Sequence, residues 1–75
     1  MSLAYVLVHT MPDKMEEVLK KIKEIDGIKD AYMVYGLYDI IIEIKVGNAK
    51  ELWATILNIR ILKHIFSTIT LGVIG

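Results

Sequence analysis

The sequence has no cysteine, so disulfides and thiolate metal centres are excluded from the outset. Only two histidines are present. His9 and His64 each stand in apolar surroundings and read as structural residues, so neither a metal site nor a cofactor is expected. An excess of charge is missing as well. Nine basic residues balance nine acidic ones, whereas nucleic-acid binding relies on a basic surface that neutralises phosphates, so no direct nucleic-acid contact is expected. The lysines that do cluster, Lys20, Lys21 and Lys23, sit beside Glu16, Glu17 and Glu24 as a solvated helix face. No apolar run approaches the ~20 residues a membrane-spanning helix needs. The start "MSLAYVLVHTM" has neither a basic region nor a small-residue cleavage site, so no signal peptide is expected and the cytoplasm is the expected compartment.

What the chain does have is apolar mass. Its 75 residues, 55% of them hydrophobic, with a mean hydropathy of +0.49, make one domain over 1–75 that is more apolar than so small a monomer can hide. Association with further copies is the expected remedy.

The run "LAYVLVHT" (3–10) is rich in β-branched residues, too short for a core helix, and ends at the breaker "MPDK", so it reads as a strand. Asp13, with Glu16 three residues on, predicts a capped helix start. Met15, Val18, Leu19, Ile22 and Ile25 then follow one helical face, with Glu16 to Lys20 and Glu17 to Lys21 as i, i+4 pairs. Gly27 is expected to end this helix in a left-handed conformation. "IKDAYMVY" (28–35) and "YDIIIEIKV" (38–46) read as strands joined by a two-residue turn, Gly36-Leu37, with glycine at positive φ. Ile40, Ile42 and Ile44 share one face of the second strand, and Asp39, Ile41, Glu43 and Lys45 the other. Asn48, with Glu51 three residues on, predicts the cap of a helix over 49–62 with a stripe of Leu52, Ile56 and Ile59, beside which Trp53 reads as core or interface packing. "HIFSTITLGVIG" closes as a strand with Phe66, Thr68 and Thr70 on one face and Ile65, Ser67, Ile69 and Leu71 on the other.

The order β-α-β-β-α-β with right-handed crossovers is the ferredoxin-like arrangement of the α+β class, a four-stranded antiparallel sheet with two helices on one face. The second sheet face is left bare, carrying Tyr5 or Val6, Tyr32, Ile41, and Thr68 or Ile69 according to register. Pairing face to face with a second copy, as in a dimeric α+β barrel, covers it.

Chemistry is poorly served. The sequence offers no paired carboxylates or Ser-His-Asp set at workable spacing and no phosphate-binding glycine loop. His9 and Asp39 can approach each other across the sheet, but they lack a nucleophile and a cleft, and no enzyme is expected. An RNA-recognition sheet needs aromatics on two central strands in a basic frame, and neither "AYVLVH" nor "YDIIIEI" supplies them.

Over nearly its whole length the chain resembles the C-terminal effector-binding (RAM) domain of the Lrp/AsnC family of transcription regulators. "AYVLVHTMPDKMEEVLKKIKEIDGIKDAYMVYGLYDIIIEIKV" is similar to that family's strand, turn, helix, strand and Gly-x-Tyr-Asp hairpin in order. The most specific element is Gly36-Leu37-Tyr38-Asp39, and "STITL" matches the last strand. The resemblance implies face-to-face dimers, rings of four dimers (octamers), and free amino acids bound where dimers meet. It implies an effector pocket formed by Gly36, Tyr38 and Asp39, with Thr68 and Thr70 as hydrogen-bond partners across the interface. An ammonium would meet the Asp39 carboxylate, and the glycine would admit the ligand to the main chain. The plainer reading is that Gly36 serves the hairpin and Asp39 accepts a backbone hydrogen bond. Met1 lies almost at the first strand, so the family's helix-turn-helix is expected to be missing.

Two functions follow as expectations. One is an amino-acid-binding and oligomerising domain in transcription regulation that lacks its own DNA-binding unit. The other is a structural association module that co-assembles with full-length Lrp-like regulators without a ligand. A small dimeric barrel enzyme is a distant third. An ACT-type amino-acid domain shares the element order, but its first strand-helix turn needs a glycine that "TMPDK" lacks.

Overall fold

The computed structural model describes residues 2–74. Strands β1 (Ser2–Thr10), β2 (Ile28–Met33), β3 (Ile40–Val46) and β4 (Ile65–Gly72) alternate with helices α1 (Met15–Lys23) and α2 (Ala49–Arg60) in the expected order. The four-stranded sheet runs β2-β3-β1-β4 with every neighbouring pair antiparallel. This is the ferredoxin-like arrangement, and β3, the strand richest in β-branched residues, is central.

Period-two alternation decides which side chains are buried. Ala4, Val6, Val8, Ala31, Ile40, Ile42 and Ile44 point to the helices and are buried, and all but Ala4 pack with Val18 and Ile22 of α1 and Ile56 and Ile59 of α2 in one cluster. The expected helical faces are therefore the ones that build the core.

Several local expectations give way. Asp13 lies in a 3-10 turn (Pro12–Lys14), and α1 starts behind Lys14 with no side-chain cap. Neither expected Glu-Lys pair closes to an ion pair among the described residues; Glu17 turns instead to His64, with Oε2 3.5 Å from Nε2. His64 is thus not isolated. It takes the left-handed conformation, φ 71, while its carbonyl accepts the Met11 N–H at 3.0 Å. Helix α1 ends at Lys23, so Gly27 (φ 96) belongs to the following turn into β2 and not to the helix cap. The hairpin is wider than two residues. Met33 is the last residue of β2 and Ile40 the first of β3; the Val34 N–H bonds the Asp39 carbonyl at 2.9 Å across the hairpin, and the Asp39 N–H bonds the Val8 carbonyl of β1 at 2.9 Å. Trp53 leaves the core stripe altogether and is exposed.

At α2 the expected cap forms. The Asn48 side chain accepts the Glu51 N–H at 2.9 Å, and Glu51 Oε2 accepts the Gly47 N–H at 3.0 Å. Asn48→Ala is expected to cost about 1 kcal/mol, seen as a melting temperature lower by roughly 4–8 °C in a domain of this size.

Candidate functional site

The register decides what the open sheet face presents. Tyr32, Ile41, Leu7 and Ile69 are successive cross-strand partners and form one apolar row across all strands. A second row runs Asp30, Glu43, Tyr5, Leu71. Tyr5 and Ile69, not Val6 and Thr68, therefore belong to this face. The second row is polar toward β2. The Tyr32 hydroxyl donates to Asp30 Oδ2 at 2.7 Å, and Lys29 Nζ lies 3.7 Å from Glu43 Oε2. The Tyr32 bond, with the Ala31 N–H, holds the Asp30 carboxyl below its ordinary value, and the same bond raises the Tyr32 phenol.

A third group lies where the hairpin meets β1. Continuing the alternation beyond Ile40 puts Asp39 on the open face beside His9, with His9 Nε2 3.8 Å from Asp39 Oδ2. That oxygen also accepts the buried Thr10 N–H at 2.9 Å. Asp39 thus does what the plainer reading expected, clamping the hairpin to β1. Its side chain remains 24% exposed, and no hydrogen bond among the described residues reaches its other oxygen. His9 stands edge-on to Tyr38 and Phe66, with ring centroids at 6.3 and 6.1 Å. Of the site residues expected from sequence, Gly36, Tyr38 and Asp39 are together in this hairpin. Gly36 has φ 136 with nothing within 4 Å of the position a Cβ would take, so backbone conformation and not crowding calls for glycine. Tyr35 and Leu37 flank it fully exposed.

Thr68 and Thr70 are not brought to this group within one chain. They pair with Val8 and Val6, so they lie on the helix side of the sheet, where Thr70 Oγ1 is buried without a partner. The expected face of β4 also changes. Ile65 pairs with Thr10 and Ser67 with His9, the ladder shifting between them, so Ile65 joins Thr68 and Thr70 and Phe66 sits at the irregularity. Ser67 is the β4 hydroxyl residue on the side of Asp39. Phe66 and Ser67 were missed as members of the group, whereas the approach of His9 to Asp39 across the sheet was expected.

Two grooves of the described residues lie away from this group. One groove of about 740 Å³ lies between α2 and the ends of β3 and α1, lined by Gly27, Val46 and Thr55 among others. Another of about 320 Å³ lies between α1 and the turn before β4, with Val18, Leu62 and His64 in its wall. Among the described residues no cluster of His, Asp or Glu could hold a metal ion, and no helix is long and apolar enough to cross a membrane.

The sequence profile described as "Lrp/AsnC ligand binding domain" matches residues 3–74. The chain belongs to this family. An uncharacterized HTH-type transcriptional regulator of Pyrococcus furiosus, PF0250, is 29% identical over 72 residues, 91% of this chain and 48% of that protein. The chain thus spans about half the length of this relative. Among solved structures, FFRP-DM1 is 35% identical with a TM-score of 0.91, covering 99% of this chain and 100% of that one. The hypothetical protein PHS023 of Pyrococcus horikoshii is 34% identical with a TM-score of 0.91, covering 100% of this chain and 92% of that one.

Proposed function

We propose that this Lrp/AsnC ligand-binding domain takes up a free amino acid at the hairpin of Gly36, Tyr38 and Asp39 and couples its uptake to assembly in transcription regulation. The observation that carries the reading is the divided carboxylate of Asp39. One oxygen is held by the Thr10 N–H, which orients the group, and the other is left to accept a ligand ammonium. The hairpin is convex in a single chain, with Tyr35 and Leu37 exposed, so a second copy supplies the opposite wall. Thr68 and Thr70, on the helix side of the sheet, are left out of this reading. The apolar row Tyr32, Ile41, Leu7, Ile69 supports sheet-to-sheet pairing as the primary dimer contact.

A thermal-shift screen against the twenty amino acids tests this. A ligand at 100 times its dissociation constant stabilises by about 2.7 kcal/mol, which raises the melting temperature of so small a domain by roughly 10–20 °C. A selective rise of that order is expected. If a folded oligomer shifts with none of them, the same apolar row favours the second reading, an association module that joins full-length Lrp-like regulators without a ligand.

A further inference from the structure

The groove between α1 and the turn before β4 shares no residue with the hairpin site. Its apolar lining comes from Val18, Ile61 and Leu62, and its polar wall from Glu17, Lys21, Lys63 and His64. At about 320 Å³ it falls at the small end of the range of small-molecule sites, roughly 300–1,000 Å³.

Two features of the polar wall run against local rules. Among the described residues, His64 alone combines a side chain with positive φ, at 71, where glycine would sit without strain. A side chain kept in such a conformation points to a task for the side chain itself. Its ring reaches from the turn to α1, with Nε2 3.5 Å from Glu17 Oε2. The second feature follows from the first. Glu17 stands four residues before Lys21, the order that normally closes an ion pair on a helix, yet its carboxylate is turned to His64 instead. Lys21 is left without an acidic partner among the described residues, and so is Lys63. The groove therefore sets two uncompensated ammonium groups beside an apolar lining, with its one carboxylate already engaged.

We propose that this groove binds a small monocarboxylic acid with an apolar body and no ammonium group, its carboxylate held by Lys21 and Lys63 and its body against Val18, Ile61 and Leu62. Charge complementarity selects the occupant. The two lysines give a carboxylate charge-assisted hydrogen bonds, and the lining removes the apolar body from water. A free α-amino acid is disfavoured, because its ammonium needs a carboxylate and that of Glu17 is taken up by His64. The ligand class thus differs from that of the hairpin, and the inference does not depend on the hairpin reading.

The test titrates hexanoate into the full chain and follows the methyl NMR signals of Val18 and Leu62. Saturable shifts are expected with hexanoate, and none at these methyls with hexylamine or norleucine. The double variant Lys21→Glu, Lys63→Glu changes two exposed positions. It is expected to keep the wild-type melting temperature and to bind hexanoate roughly tenfold more weakly or worse. His64→Gly is expected to melt at or above the wild-type temperature, since glycine takes the left-handed φ freely and the turn stays tied by the Met11 N–H to the carbonyl of residue 64. It should nevertheless bind more weakly, because Glu17 is then released to pair with Lys21. A histidine with a purely structural role would not give that split. Asp39→Asn should leave hexanoate binding unchanged. Shifts that grow without saturation, hexylamine or norleucine bound as tightly as hexanoate, or undiminished binding in the double lysine variant or in His64→Gly overturn the proposal. Loss of hexanoate binding in Asp39→Asn overturns it as well, by moving the ligand to the hairpin.

Discussion

Gly27→Ala is expected to destabilise the protein by about 3 kcal/mol or more, the sum of overpacking and backbone strain, and to lower its melting temperature by roughly 12–24 °C. Two effects combine. Gly27 has φ 96, a conformation that costs an L side chain roughly 1–2 kcal/mol. A Cβ there would also lie 2.5 Å from Thr55 Oγ1 and 2.9 Å from Val46 Cγ1. Thr55 cannot readily withdraw, because it is buried and its hydroxyl bonds the carbonyls of Glu51 at 3.0 Å and Asp26 at 3.3 Å. The Gly27 carbonyl meanwhile accepts the Lys45 N–H at 3.1 Å, tying the turn to β3. Gly36→Ala is the control, since its φ is also positive but nothing lies within 4 Å, and it should cost only the conformational part. Urea unfolding of Gly27→Ala, Thr55→Ala and the double variant measures the coupling. A double variant that loses the plain sum of the two single losses would show that the close approach to Thr55 is not the cause.

The second large effect separates the two tasks of Asp39. Asp39→Asn keeps an oxygen for the Thr10 N–H but loses the charge. It should fold with nearly wild-type stability while binding an amino acid about 5- to 10-fold more weakly, as expected when a charge-assisted bond worth about 1.5–3 kcal/mol becomes a neutral one worth about 0.5–1.5 kcal/mol. Asp39→Ala strips both. It leaves the Thr10 N–H without its acceptor in a residue only 1% exposed, at a cost of about 1–3 kcal/mol in stability. Calorimetric titration beside thermal unfolding reads both quantities. Undiminished affinity in Asp39→Asn would remove the carboxylate from ligand recognition and leave it the clamp alone.

The contrast between these two residues shows how far local pattern reaches. Gly36 and the inward Ile40, Ile42 and Ile44 were legible because φ preference and period-two burial are properties of a few consecutive residues. The Asn48 cap was legible for the same reason, its donor being three residues away. Of the two places expected for Trp53, core or interface, the core is ruled out, because the helix turns 100° per residue and carries it to the outer side. Asp13 misled because a 3-10 turn intervenes between it and α1.

The sequence by itself determined the element order, the ferredoxin-like fold, the family resemblance and the bare second face of the sheet. All of these follow from periodicity and short motifs. Only the tertiary structure decided that Tyr5 and Ile69 lie on that face, that Thr68 and Thr70 lie on the other, that Asp39 is fixed by Thr10, and that Gly27 sits beneath Thr55. The physical reason is register. Strand residues alternate every position, so a shift of one residue exchanges the faces, and that shift is set by packing between segments far apart, such as the 29 residues that separate Thr10 from Asp39.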